Sequence, residues 1–197
     1  MSEASQTRRP APPWPPVATE RPGTHPDAPG PGTKLEMHYE ECFGCGELDS
    51  GLHLKSTVGE QAHVHSQFTV TEAHQGAPGL AHGGLLACAF DEALGATVGN
   101  LLRKPAVTGK LETDFVQPVP VGSTLFITAR LDGVAGRKIY ASAEGHLGAE
   151  DGPVAVRARA LFVEVGFEHF TTHGDPNALD KFRRTHDRPR GDWDINP

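Results

Sequence analysis

Two acidic side chains interrupt the most apolar segment of this sequence. The segment "AHGGLLACAFDEALGATVGNLL" reads as one long helix that starts near His82 and carries Asp91 and Glu92 in its middle. A carboxylate that is buried without a partner costs several kcal/mol. An acid in such a place suggests a catalytic role, because an ionised carboxylate can act as a general base or as a nucleophile.

A structural role for these acids stays open. Either acid could reach the edge of the domain or pair with Lys110 or Arg103. Ion pairs of this kind are common in proteins.

The glycine pair after His82 lies where the helix begins. The first amide hydrogens of a helix have no acceptor within it, and the helix dipole adds positive potential there. Gly83 and Gly84 lack the Cβ that would hold a substrate carbonyl away. The motif predicts an oxyanion site, although a tight turn into the helix would use the same residues.

Helix geometry limits how the two features can cooperate. Asp91 follows Gly84 by seven residues, which returns to nearly the same side of the helix but about 10 Å further along it. One substrate carbonyl has to lie about 3 Å from both its donor and its base. Two antiparallel copies of the helix would bring Gly84 of one chain near Asp91 of the other, so a shared site predicts a homodimer.

The chain divides into three parts. Residues 1–34 hold nine of the 17 prolines and are predicted to be a disordered extension. Residues 35–166 form the folded domain. Residues 167–197 are a polar tail, with a short helix expected where Asp175 would be the N-cap and Pro176 the first helical residue.

Hydrophobic periodicity predicts the architecture of the domain. The run "AHVHSQFTV" alternates like a strand with one wet face, and four more strand-like runs follow the long helix with short connections. The helix is apolar all round, as a buried helix is. We therefore expect an α+β fold in which a curved antiparallel sheet of five or six strands wraps around one long central helix.

Composition narrows the function class and the compartment. A formal net charge of −7 and a pI of about 5.8 argue against a general nucleic-acid binder. The three cysteines, an odd number, favour a reducing compartment. With no signal peptide and no uncharged apolar run of membrane length in the sequence, we expect a cytoplasmic protein that does not enter a membrane.

Residues 42–165 resemble the hotdog-fold acyl-CoA thioesterases, in the phenylacetate-pathway-like and thioesterase superfamily member 4-like branch. The resemblance rests on "GLAHGGLLACAFDEALG" followed by "VTGKLETDFVQPVPVGSTLFITARL". It implies the hotdog fold, a thioesterase activity with acyl-CoA as substrate and no further cofactor. It also implies active sites at a homodimer interface, with a homotetramer as an open alternative.

The resemblance also assigns roles to residues. The acid nine positions after His82 would be the base or nucleophile, which is Asp91. The Gly84 amide, joined by that of Gly83, would polarise the thioester carbonyl, while His82 would orient the turn. Thr108 would position water or substrate.

Further substrate contacts are expected around these residues. Gln75 lies in the loop before the glycines, where some relatives place an amide side chain. Glu92 is the weaker acid candidate, because it lies about 100° around the helix from Asp91. Arg137 and Lys138 are the cations expected to meet the phosphates of coenzyme A, although a solvated hairpin turn explains them equally well.

Two other functions fit the same resemblance. One is a hydratase or dehydratase acting on acyl thioesters, and the other is a non-catalytic module that binds acyl-CoA. Asp91 argues against a simple binder, since binding alone does not need a buried acid.

The "CFGCG" stretch has the C-x-x-C spacing of metal sites. A tetrahedral zinc site would need two ligands besides Cys42 and Cys45, and His63 and His65 share one side of a strand. The spacing matches no standard finger, and two small apolar residues at a turn explain the cysteines as well. The sequence therefore predicts no metal.

Overall fold

The computed structural model describes residues 13–185. Nine strands and three α-helices follow one another along this part of the chain. They are β1 (Lys34–Leu35), β2 (Lys55–Val58), β3 (His63–Thr69), β4 (Gln75–Ala77), β5 (Leu80–Ala81), α1 (Gly83–Leu102), β6 (Ala106–Phe115), β7 (Thr124–Ala135), β8 (Lys138–Leu147), β9 (Val154–Glu164), α2 (Phe167–His173) and α3 (Pro176–Thr185).

Seven of the strands form one antiparallel sheet in the order β1-β2-β3-β7-β8-β9-β6. The alternation predicted around β3 is confirmed, since Val64, Ser66 and Phe68 are buried and Gln67 and Thr69 are exposed. The expected count of five or six strands is too low. The additional strands β1 and β2 span two and four residues, too short to show a period in the sequence.

Helix α1 is the central element that the sheet encloses. His82 caps its first turn, and it ends at Arg103, whose backbone adopts the left-handed conformation with φ 51° and ψ 46°. By length and composition α1 would also pass as a membrane-spanning helix. Ten of its residues are buried, however, and seven of them pack in the main hydrophobic core with side chains of the sheet, as in the core helix of a globular domain.

The first described residues differ from the predicted disordered extension. Trp14 packs edge-on against Tyr140 with ring centroids 5.4 Å apart, and its indole Nε1 donates to Asp132 Oδ2 at 2.8 Å. Glu20 then forms a bridge with Val134. Prolines prevent a regular ladder but allow an extended segment to pack through one aromatic anchor, so the prediction is wrong for residues 13–34. Residues 1–12 lie outside the described residues.

The polar tail carries two helices where one was expected. The expected helix is α3, and the carboxylate of Asp175 accepts a hydrogen bond from the Asn177 amide at 2.8 Å, as an N-cap does. Helix α2 has seven residues and could not be predicted from the sequence, because two turns are too few to show a period. The last part of the tail, residues 186–197, lies outside the described residues.

Candidate active site

Asp91 and Thr108 meet between the central helix and the edge of the sheet. The Thr108 hydroxyl donates to Asp91 Oδ1 at 2.8 Å. A β-bulge shifts the register of β6 between Thr108 and Lys110, a feature common beside active sites. Lys110, one of the two cations considered as a partner for Asp91, instead pairs with Glu112 at 2.7 Å.

The Asp91 carboxyl is half-buried and faces a cavity of about 250 Å³ that Thr108 also lines. Burial raises the pKa of Asp91 above its ordinary value, the hydrogen bond from Thr108 lowers it, and the nearby charge of Glu92 raises it again. Burial outweighs the hydrogen bond. The result is a carboxylate less solvated, and thus more basic, than a surface aspartate.

In the turn that leads into α1, the amide of the second glycine, Gly84, is hydrogen-bonded within the turn itself. The His82 ring accepts a hydrogen bond at Nδ1 from the Gly84 amide at 2.8 Å, so this amide is already satisfied. Among the described residues, no hydrogen bond leaves the Gly83 amide. The resemblance favoured the Gly84 amide as the carbonyl donor, but in the structure it is the Gly83 amide that is left without an acceptor among the described residues.

The loop before the glycines is fixed by a buried histidine. His74 accepts at Nδ1 from the Thr71 amide at 3.0 Å, and its carbonyl accepts from the His82 amide at 2.8 Å. The neighbouring Gln75 uses its side chain within the same loop, accepting from the Gly79 amide at 2.8 Å. Within the single chain Gln75 thus braces the turn, and its amide does not approach Asp91.

Two further site candidates lie away from the carboxylate. Lys138 shares strand parity with Tyr140 and Ser142, on the sheet face that Trp14 covers. Arg137 lies in the turn just before it. The single chain therefore does not bring the expected phosphate-binding cations to the side of the sheet where Asp91 lies.

The edge of the sheet next to the candidate site is unpaired in the single chain. Strand β6 is the last strand, so in the described chain no further strand pairs with its outer side. Phe115 at its end is 53% exposed, and its ring is 3.3 Å from where a Cβ on Gly83 would lie. Along the helix, Gly84, Cys88 and Asp91 form a stripe that is exposed at Gly84 and only partly buried at Cys88 and Asp91.

The sequence missed a second group of side chains on the wall of the same cavity. His38, Cys42, Cys45 and Glu92 each place one polar atom within 4.8 Å of the other three. His65, which was considered with His63 as a possible further ligand, has its Nδ1 3.0 Å from Thr128 Oγ1 on the sheet. An H-x₃-C-x₂-C spacing was the available signal, but Glu92 joins from α1 and has no local signature.

Three of these groups, His38, Cys42 and Cys45, have strongly shifted pKa values. The hydrogen bond with Cys45 is the largest cause that lowers the pKa of Cys42, to about 3. Hydrogen bonds with Cys42 and then Glu92 raise the pKa of His38 to about 10. The hydrogen bond with Cys42, ahead of burial, raises the pKa of Cys45. In contrast, burial is the main cause that raises the pKa of Cys88, on α1, to about 11.

Known proteins share both the sequence motif and the architecture. The thioesterase superfamily model matches residues 78–154. Acyl-coenzyme A thioesterase THEM4 from Bos taurus is 34% identical over 98 residues, which cover 50% of this chain and 39% of that protein. THEM4 from Xenopus laevis is 30% identical over 93 residues, which cover 46% of this chain and 40% of that protein. The chain thus spans about two fifths of the length of these relatives.

A solved structure supports the same assignment at the level of the fold. The Escherichia coli PaaI protein from the phenylacetic acid degradation operon superposes with a TM-score of 0.52 at 22% identity, over 58% of this chain and 81% of that one. The matched residues 78–154 include α1 and the strands β6 to β8. The resemblance seen in the sequence is supported: residues 78–154 match the thioesterase superfamily model, and the central domain of this chain has the hotdog fold.

Proposed function

We propose that this protein hydrolyses acyl-CoA thioesters, with Asp91 as the base or nucleophile. The observation that carries the proposal is the half-buried Asp91 carboxylate, which the Thr108 hydroxyl holds at 2.8 Å on the wall of a cavity. The two THEM4 relatives are named as acyl-coenzyme A thioesterases, and this supports the substrate class.

The proposed site is completed by a second copy of the chain. Gly83 is eight residues before Asp91, about 12 Å along the helix, so one chain cannot place both groups on one carbonyl. The unpaired edge of β6 and the uncovered stripe of α1 supply the surface on which a second copy would pack. In a two-fold pair, the Gly83 amide of one protomer then faces Asp91 of its partner.

The chemistry needs only these groups and water. The Gly83 amide donates to the thioester oxygen and stabilises the charge that develops on it. Asp91 accepts a proton from a water molecule whose oxygen attacks the carbonyl carbon, or it attacks directly and forms an anhydride that water then hydrolyses. The carbon–sulfur bond breaks, and coenzyme A leaves as a thiolate that takes up a proton from solution.

The hydratase alternative fits the geometry less well. It would require a histidine able to move a proton beside the acid. His82, the nearest motif histidine in sequence, uses Nδ1 to accept from Gly84 at the start of the helix. Hydration would also leave the thioester intact, so product analysis separates the two reactions.

The first prediction concerns Asp91→Asn. We expect kcat/KM for the best of a panel of acyl-CoAs to fall by about 100- to 10,000-fold, the usual contribution of a positioned acid or base. The reaction should be followed through the ultraviolet absorbance of the thioester, because the protein's own cysteines would react with a thiol reagent.

The matched control is Asp151→Asn, at an exposed aspartate in the turn between β8 and β9. It should retain wild-type rates and thermal stability. Hydrolysis that survives Asp91→Asn would refute the assigned role. Tight binding of acyl-CoA without turnover in the wild type would instead favour the non-catalytic module.

A further inference from the structure

The loop before β2 brings two cysteines and a histidine against the central helix. Cys45 Sγ is 3.2 Å from His38 Nδ1, and Cys42 Sγ is 3.4 Å from Glu92 Oε2. Glu92 Oε1 is in turn 3.3 Å from His38 Nδ1. One nitrogen, two sulfurs and one carboxylate oxygen thus lie within 4.8 Å of one another.

The turn that carries the cysteines is built to keep both sulfurs on one side. The Gly44 amide donates to Cys42 Sγ at 3.3 Å, and the Gly46 amide donates to the Cys42 carbonyl at 2.9 Å. A Cβ on Gly46 would overlap this carbonyl, and one on Gly44 would lie 2.5 Å from Glu92 Oε2. Each glycine therefore leaves room that the cluster uses.

The distances match the edges of a metal tetrahedron. Zinc bonds of about 2.3 Å to sulfur and 2.0–2.2 Å to nitrogen or oxygen give ligand separations of about 3.4–3.8 Å. Cys45 Sγ is 3.2 Å from His38 Nδ1, His38 Nδ1 is 3.3 Å from Glu92 Oε1, and Cys42 Sγ is 3.4 Å from Glu92 Oε2. The four ligand atoms all lie within 4.8 Å of one another, so an ion at the centre would draw the more distant ones together by no more than about 1 Å.

The donor set selects the kind of ion. Two sulfurs and an imidazole suit zinc and its neighbours in the transition series, whereas magnesium and calcium require oxygen ligands. In the described part of the chain, Glu92 forms one ion pair, with His38. A divalent cation would offset two of the three negative charges of the carboxylate and the two thiolates, whereas a protonated histidine offsets only one.

Four protein ligands leave no open position, so the ion would be structural. It would join the loop of residues 38–46 to α1 at the residue next to Asp91, on the wall of the same cavity. We propose that His38, Cys42, Cys45 and Glu92 bind one Zn²⁺ ion, which anchors this loop beside the catalytic carboxylate.

The experiment titrates tag-free, reduced, metal-depleted protein with Co²⁺, which reports its ligands by absorbance. We expect one equivalent per chain to give a sulfur-to-cobalt charge-transfer band and the intense visible bands of tetrahedral cobalt, and one equivalent of Zn²⁺ to remove both. Protein prepared without chelators should contain close to one zinc per chain by mass spectrometry.

Variants identify the ligands. Cys45→Ser should remove most of the charge-transfer band and weaken binding by at least about 10-fold, and Glu92→Gln should weaken binding while keeping the sulfur band. Cys88→Ser, at a free cysteine outside the cluster, is the matched control and should bind like the wild type. Asp91→Asn should also bind normally, so this test is independent of the proposed activity.

Three outcomes would overturn the proposal. The first is the absence of a charge-transfer band at one equivalent of Co²⁺. The second is unchanged binding in Cys45→Ser. The third is that Cys42 and Cys45 form a disulfide under reducing conditions, which would make the pair a redox couple and leave no thiolates for a metal.

Discussion

At the scale of the residue, the charge of Asp91 is set by two opposed influences. Burial against the helix and sheet raises the pKa of the carboxyl, and the hydrogen bond from Thr108 lowers it. Only the ionised form can accept a proton from water or attack a carbonyl. Thr108 therefore helps to keep Asp91 ionised, and we treat it as a positioning residue.

A second prediction follows for Thr108→Val, which keeps the shape of the side chain but loses the hydroxyl. Loss of the hydrogen bond removes a cause that lowers the pKa of Asp91, so that pKa rises. The acidic limb of log kcat/KM should then move to higher pH, with the largest loss of activity on the acidic side. Profiles of initial rate against pH check this.

Thr108→Ser retains the hydroxyl and should leave the limb close to that of the wild type. A purely structural role for Thr108 would lower kcat/KM equally at every pH. An unchanged limb in Thr108→Val would therefore show that the hydroxyl does not act on Asp91.

Asp91 and Thr108 could be named as candidates from the sequence because each belongs to a motif with fixed spacing, and the structure brings their side chains into contact. The resemblance favoured Gly84 over Gly83 because only coordinates show where the His82 ring points. His38 could not be singled out from the sequence, since its partner Glu92 is 54 positions away on another element. Contacts of that kind depend on the fold and leave no local pattern.

At the scale of the element, α1 serves both as the core of the domain and as the carrier of the site. Its first turn offers the Gly83 amide, and its middle offers Asp91. The residue before Gly83 has φ −72° and ψ 129°, the extended conformation that precedes proline in proteins. This allows the amide hydrogen to be removed without moving the helix.

A third prediction compares Gly83→Pro with Gly83→Ala. Proline is favoured at the first position of a helix and lacks the amide hydrogen. We expect Gly83→Pro to lower kcat by about 100- to 1000-fold, the usual effect of losing one oxyanion donor. Circular dichroism should show that α1 is retained.

Gly83→Ala is the matched control, because its Cβ meets the same Phe115 ring while its amide hydrogen remains. It should retain most of the activity. Equal losses of activity in the two variants would mean that Gly83 is needed because it lacks a side chain, and not because its amide donates a hydrogen bond.

The long elements could be predicted from sequence because α1 and the strands from β6 to β9 span between 10 and 20 residues each. Their periods are therefore visible. The packing of residues 13–20 could not, because it depends on one contact of Trp14 with the distant Tyr140. Proline-rich composition describes the backbone of that segment but not its neighbours.

At the scale of the whole molecule, the proposed activity requires two chains. The open edge of β6, the exposed Phe115 and the uncovered stripe of α1 lie on the side of the domain that carries Asp91. A long unpaired edge strand is a surface on which a second chain readily adds. We expect a homodimer in solution, with one site at each end of the interface.

A fourth prediction uses hybrid pairs. Asp91→Asn and Gly83→Pro chains, each inactive alone, are refolded together. Half of the pairs should be mixed, and one of the two sites in each mixed pair is intact, so about a quarter of the wild-type activity should return. Size-exclusion chromatography and initial rates measure both quantities.

Mixing Asp91→Asn with Asp91→Ala serves as the control and should restore nothing, since both chains lack the same group. A failure of the first mixture to exceed the sum of its parts, although mixed pairs form, would place both groups in one chain and exclude the shared site.

The segment that carries Trp14 has a consequence for any larger assembly. It lies across the back of the sheet, over Tyr140 and beside Arg159, whose guanidinium is 5.2 Å from the indole centroid. If two dimers stacked through the backs of their sheets, the segments that carry Trp14 would come into contact before the strands did. Removing the segment would therefore be the way to create a flat stacking surface, and an intact chain should resist that mode of tetramer formation.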